Sequence, residues 1–179
     1  MRDETVCELG GQAATVLWEL TKFYDGVDVS SLVEKAKALS YPALGLIFAL
    51  QAHLAPRVLR AQGAVGEALE VTTGILAGCG QSMCFARVVL HDVLSSIHSK
   101  FPWVLVQQYV DDLALRTEGI AREVSARLAE AAEDMVRQLK RGKAKISDKS
   151  AIIASSTAVA RQVARALREA GLRVKVVER

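Results

Sequence analysis

Trp103-Val-Leu-Val-Gln-Gln-Tyr109-Val110-Asp111-Asp112-Leu-Ala-Leu-Arg116 is the stretch that decides the reading of this chain. Two apolar runs flank a pair of adjacent acids. Asp is a poor strand former, so the acids mark a turn and the runs mark two strands joined by it, 103–109 and 113–116. Two carboxylates at the tip of a hairpin that emerges from a core repel one another, and a divalent cation between or beside them relieves that repulsion. A solvated turn would hold the same pair and is the ordinary setting of Asp-Asp.

Working outward, residues 13–20 read as a buried strand with Glu19 near its end. Ser30 is the expected N-cap of a helix with Leu32, Val33, Ala36 and Leu39 on its apolar stripe. Pro42 sits in the first turn of a second helix running to about Leu54, and Pro56 ends it. Runs 57–62 and 68–72 read as a hairpin, followed by the Gly-rich stretch Gly74-Ile-Leu-Ala-Gly78-Cys-Gly80-Gln-Ser82 and a long helix over 82–98. An amphipathic helix is expected over 118–140, an extended segment over 143–155, a helix over 157–170 stopped by Gly171, and a last strand over 172–177. Helices alternate with strands, and one hairpin cannot be parallel, so the fold class is α+β. No partner is evident for the last strand, so a fragment is expected. The expected organisation is an N-terminal tail over 1–12 and one domain over 13–179.

The chain has 179 residues, 51% hydrophobic and 24% charged, enough for a packed core and too apolar for wholesale disorder. No run approaches the ~18 apolar residues that span a bilayer, so no membrane partner is expected. The start lacks the apolar core of a secretory signal. Cys7, Cys79 and Cys84 are odd in number and without paired spacing, which argues for a reducing, intracellular compartment, nucleus or cytoplasm. His91 and His98 lie two helical turns apart, not the one turn of a helical metal pair. From Arg137 to Arg179 twelve Lys and Arg face three acids, a net +9. The first 136 residues therefore carry −6 in a chain of total +3. A basic last third, including Lys140-Arg-Gly-Lys-Ala-Lys145, suits contact with a polyanion; a solvated helix face and a basic strand would read the same way.

Glu19 with an aromatic five residues on, the Gly74–Ser82 loop into a helix, and Tyr109-Val-Asp-Asp112 occur in the order of the palm motifs of reverse transcriptases. They resemble in particular those of the non-LTR retrotransposon and group II intron type. Tyr24 matches the aromatic of the first motif. Gly74, Gly78 and Ser82 match the second, a Gly-x-x-Gln-Gly-x-x-x-Ser loop. Tyr109, Asp111 and Asp112 match the third, and Lys149 in Ile146-Ser-Asp-Lys-Ser matches a fourth. The resemblance runs from about Ala13 to Arg179. It implies a polymerase palm-like antiparallel sheet backed by helices. The implied activity is RNA-directed DNA synthesis on an RNA template and DNA primer from deoxynucleoside triphosphates, with Mg²⁺ or Mn²⁺ as cofactor. Glu19, Asp111 and Asp112 would be the metal ligands, and Lys149 would approach and protonate pyrophosphate. Tyr24 would lie under the sugar and crowd a 2′-hydroxyl, while Gly78 and Ser82 would serve nucleotide and template.

Three departures from the family pattern point to a second reading, a degenerate, catalytically inactive palm that keeps the fold and a nucleic-acid surface. Glu19 stands where the family has Asp. Ala77 stands where it has Gln. Fingers and thumb are expected to be missing. A third reading, an unrelated α+β domain with a solvated Asp-Asp turn, places Glu19 and Asp111 far apart.

Overall fold

The computed structural model describes residues 10–177; Cys7 and residues 1–9 of the expected tail lie outside the described residues. The chain divides into two compact units, one of residues 1–21 with 91–179 and one of residues 22–90.

The first unit is built on a five-stranded sheet of order β4-β5-β1-β6-β7. Its strands are β1 (Gln12–Trp18), β4 (Leu105–Tyr109), β5 (Asp112–Gly119), β6 (Ala151–Ala154) and β7 (Lys175–Val177). All neighbours are antiparallel except β6 and β7. The last strand thus has a partner, contrary to expectation: helix α5 (Thr157–Glu169) carries the chain back so that β7 lies parallel to β6, as a crossover connection allows. The expected extended stretch 143–155 is also mostly not strand. Only 151–154 joins the ladder, because the backbone before it turns to bond the end of β1.

Strand alternation assigns the two faces. Val16, Trp18, Leu113, Leu115 and Ile152 are buried on one face, against which α4 (Ala121–Arg141) and α5 pack. α4 buries Val124, Leu128, Ala131, Ala132, Met135 and Leu139 at helical spacing. α5 is capped by the Ser156 hydroxyl, which accepts from the Val159 amide, and buries Val159, Ala160, Val163 and Leu167. On the opposite face the row Gln107–Ala114–Leu17–Ala151–Lys175 crosses all five strands, and none of its members is fully buried.

The second unit holds α1 (Val29–Ala38), α2 (Ala43–Leu54) and the hairpin β2 (Arg57–Ala61) with β3 (Ala64–Leu69). The N-cap of α1 is Asp28 rather than Ser30: its carboxylate accepts from the Ser31 amide at 2.7 Å. The return strand β3 begins at Ala64, earlier than the glycine spacing implied, because Gln62-Gly63 alone makes the turn, both with positive φ. Helix α3 (Gly80–Lys100) counts with the second unit over 80–90 and with the first over 91–100.

Among the described residues no helix is long and apolar enough to cross a membrane.

Asp134, on α4, fastens that helix to the end of α3. Its carboxylate accepts from Lys100 at 3.0 Å, Gln138 at 3.1 Å and Arg137 at 3.3 Å, and Gln138 also reaches the Ser96 hydroxyl. Burial alone would raise this carboxyl, but hydrogen bonds from Lys100 and Gln138 and the charges of Lys100 and Arg137 outweigh it, so its pKa lies below the ordinary value. A carboxyl depressed in the folded state stabilises above its unfolded pKa, and that contribution is lost as pH falls through the folded value. Asp134→Ala is therefore expected to lower stability by about 1–3 kcal/mol at neutral pH, read as a urea midpoint. The deficit should shrink below about pH 4. A midpoint equal to wild type at pH 7 would contradict this role.

Candidate active site

The register of the sheet brings three of the predicted acids together. Trp18 pairs with Leu113, so Glu19, one residue on, lies level with Asp112, which itself pairs with Tyr109 across the hairpin. Asp111 occupies the two-residue turn between β4 and β5. The expected placement of Glu19 far from the Asp-Asp turn, which an unrelated fold would give, is not what the chain adopts. The Asp112 carboxyl is pushed above its usual range by burial first, then by the charge of Asp111, then by that of Glu19. Burial and two neighbouring negative charges thus act in the same direction on this one carboxyl.

The turn that carries Asp111 is strained. Val110 has a φ of +59°, and positive φ falls on the first central residue of the turn, the position that a type II′ turn reserves for glycine. A β-branched residue there is an outlier that persists only when its surroundings over-determine it. Gln108 supplies part of that determination: its side-chain amide donates to the Val110 carbonyl at 2.8 Å. Gln108 was not among the residues singled out in the sequence. The signal was present only as a polar residue on a strand otherwise apolar toward the core.

Lys149 reaches the same place by a different route. The segment before β6 wraps the end of β1. The Glu19 amide donates to the Ser150 hydroxyl at 3.3 Å, and the Glu19 carbonyl accepts from the Ser147 amide at 2.8 Å. Thr21 donates to the Lys145 carbonyl at 2.8 Å, and Leu20 bridges Ile146. Ser150 is buried and its hydroxyl donates to the Ser147 carbonyl. This clasp leaves the Lys149 ammonium 3.7 Å from the Glu19 carboxylate. Both side chains are well exposed, 75% and 42%, so the pair is worth about 0–1 kcal/mol and is easily exchanged for another partner. Sequence reasoning found Lys149 but not Ser147 and Ser150, whose hydroxyls set its position. Glu19, Tyr109, Asp112 and Lys149 line a cleft of about 540 Å³ that extends over Leu17 and Gln107 on the open face of the sheet.

The donor set of the three acids is hard oxygen, which suits Mg²⁺ or Mn²⁺. The charges of Asp111 and Glu19 add to burial in raising the Asp112 carboxyl, and a cation beside it would act in the opposite direction. As placed, among the described residues, no three His, Cys, Asp or Glu side chains already form a metal cluster. The three acids are hard-oxygen donors brought to one end of the sheet by strand position, which is the chemistry a divalent ion takes.

Tyr24, Gly78 and Ser82 belong to the second unit. There the sequence stretch containing Tyr24 meets the Gly-rich loop. The Tyr24 carbonyl accepts from the Ile75 amide at 2.9 Å and the Val27 carbonyl from the Gly74 amide at 3.0 Å. Gly74 has a φ of +81°, and a Cβ on it would lie 3.0 Å from the Tyr24 carbonyl oxygen, so the contact requires glycine. The Tyr24 ring packs edge-on against Phe23 at 5.5 Å. Gly78, φ +80°, sits in an exposed turn with open space around it. Ser82 is buried, and its hydroxyl donates to the Leu76 carbonyl. Cys79 and Cys84 carry free thiols.

The family described as reverse transcriptase (RNA-dependent DNA polymerase) matches residues 3–175, and the chain belongs to that family. No curated protein sequence matches it. Among solved structures it is similar to the telomerase of Candida tropicalis in complex with a fragment of telomeric RNA. The TM-score is 0.60 at 12% identity, over 86% of this chain and 29% of that one. It is likewise similar to the apo telomerase of that organism truncated from its C-terminal domain, with TM-score 0.56 at 16% identity over 82% and 31%. The chain thus spans less than a third of either telomerase chain, and at these identities the likeness is one of fold.

Relief of the turn strain is measurable. Val110→Gly is expected to raise stability by about 1 kcal/mol despite the added freedom of the unfolded chain, read as a higher urea midpoint with an unchanged slope. A lowered midpoint would show that the turn is not strained.

Proposed function

We propose that this chain is the palm of a reverse transcriptase of the non-LTR retrotransposon and group II intron type, which extends a DNA primer on an RNA template from deoxynucleoside triphosphates. The observation that carries the reading is the gathering of Glu19, Asp111 and Asp112 at one end of the sheet, with the Asp112 carboxyl raised by burial and by both of the others. These three residues would hold Mg²⁺ or Mn²⁺. Such ions, when bound, supply activation of the primer 3′-hydroxyl and neutralise charge on the leaving pyrophosphate. Lys149, loosely paired with Glu19, is free to turn toward that pyrophosphate and donate a proton to it. Tyr24 would crowd a ribose 2′-hydroxyl and so favour deoxynucleotides. Gly78, lacking a side chain in an exposed turn, lets the backbone approach nucleotide and template. Ser82, being buried, would act by fixing the Leu76 carbonyl and thus the loop.

A second reading, a degenerate palm without activity, is favoured by one feature: Glu19 extends its carboxylate one methylene beyond the Asp usual in the family and is engaged by Lys149. A displacement of ~1 Å costs on the order of 100-fold in rate.

Two measurements separate the readings. Mn²⁺ binding to the chain, followed by electron paramagnetic resonance, is expected for wild type and lost in Asp111→Asn and Asp112→Asn; equal binding by all three would remove the basis of the metal site. Primer extension by the chain joined to the fingers and thumb of a family member is expected with deoxynucleotides and to rise about 100-fold on Glu19→Asp. Extension absent with Glu19 and present with Asp would establish the degenerate reading.

A further inference from the structure

We infer that His53 is the positioning residue of the Gly74–Ser82 loop: it holds the Leu76 amide and so sets the exposed turn that, on the reading proposed above, meets nucleotide or template.

The contact is specific. His53 ends α2, is fully buried, and its Nδ1 accepts from the Leu76 amide at 2.7 Å. Leu76 is held on its other side as well, because its carbonyl takes the Ser82 hydroxyl. With Gly74 bonded to Val27 and Ile75 to Tyr24, residues 74–76 are tied at every backbone step, while Ala77 and Gly78 beyond them stand exposed. Three of these ties involve backbone or a hydroxyl that any pH leaves intact. The fourth is an imidazole.

An imidazole that accepts at Nδ1 carries its proton on Nε2. That Nε2 is buried with no hydrogen-bond partner. A leucine would fill the site without an orphaned donor, so packing alone does not account for a histidine here. Its acceptor does. Protonation would place a second N–H on Nδ1, directly facing the Leu76 N–H, and the tie would become a donor–donor clash.

The surroundings resist that protonation. Burial lowers the His53 pKa, and the positive charge of Arg57, at the start of β2, lowers it further. From α3 the Phe85 ring faces the imidazole at 5.3 Å. Tyr41 lies against the same ring at 5.9 Å, its phenol raised by burial and by Cys84 and donating to Gln81 Oε1 at 2.7 Å. The charged and titratable groups around the latch include Arg57, Tyr41 and Cys84, and Asp25 borders the loop through its backbone beside Gly74. Among the described residues, burial and Arg57 are what shift the imidazole, and both oppose an imidazolium. The latch is closed at neutral pH and opens in acid.

The test compares wild type with His53→Asn, whose Oδ1 can occupy the place of Nδ1 without titrating, and His53→Leu, which has no acceptor. The first readout is hydrogen exchange of the Leu76 amide relative to its intrinsic rate. At about pH 7.5 the wild type and His53→Asn should protect Leu76, and His53→Leu should lose about tenfold of that protection, the value of one hydrogen bond. A descending pH series should open Leu76 in wild type at a pH below the ordinary histidine range and leave His53→Asn unchanged. Equal protection in His53→Leu, or one pH profile shared by wild type and His53→Asn, overturns the latch. The second readout is binding of an RNA–DNA hybrid by fluorescence anisotropy. Weaker binding by His53→Leu with rescue in His53→Asn supports the positioning role, and an affinity indifferent to all three side chains overturns it. No hybrid binding by wild type at all would sink the palm reading itself, while the exchange data would still decide whether His53 holds the loop.

Discussion

β1 is hydrogen-bonded along both edges, to β5 on one side and β6 on the other, and the chemistry of the first unit depends on that constraint. A strand paired on one edge can slip; one paired on both can shift only if two ladders break together. The register therefore fixes Glu19 beside Asp112. The clasp of Ser147 and Ser150 around the same strand end fixes Lys149 beside Glu19. Three carboxylates and one ammonium are gathered by backbone bonds that carry no charge. That is how repelling groups are kept together without weakening the ladder that holds them.

The stabilising part of the unit lies on the other face. Val16, Trp18, Leu113, Leu115 and Ile152 are covered by the apolar sides of α4 and α5, and burial of that kind is the dominant favourable contribution to a fold. The open end of the sheet adds little or opposes: a β-branched residue at positive φ, a carboxyl raised by burial and by its neighbours, and an exposed ion pair worth little. An unfavourable conformation and crowded negative charge at one place, against a well-packed remainder, are what the proposed site would need.

Much of this was legible in the sequence where local chemistry decides structure. The Asp-Asp pair between apolar runs located the β4–β5 hairpin, although its turn is Val110-Asp111 and Asp112 already opens β5, and the 3.6-residue apolar period located α4. The motif order gave the family. Where partners distant in sequence decide structure, the sequence was silent. The parallel pairing of β7 with β6 depends on a crossover, not on any residue of β7. Lys143 to Ser150 reads as extended, but it bonds the end of β1 instead of forming a strand. The capping of α1 by Asp28 in place of Ser30 is a choice between two good caps two residues apart, settled by which carboxylate or hydroxyl meets the Ser31 amide. Gln108, Ser150 and His53 went unnoticed for a common reason: each acts through a hydrogen bond to backbone far along or oddly placed in the chain, and no spacing rule announces such a bond.

Glu19, Asp111 and Asp112 are proposed to form one cation site. Its most direct test is the anomalous scattering of Mn²⁺ soaked into a crystal of the protein. The account predicts a Mn²⁺ peak at the hairpin tip within coordinating distance of the Asp111 and Asp112 carboxylates, with Glu19 turned from Lys149 toward it. A hairpin without Mn²⁺ at saturating concentration, or Mn²⁺ bound with Glu19 still paired to Lys149 and both aspartates pointing apart, would contradict it.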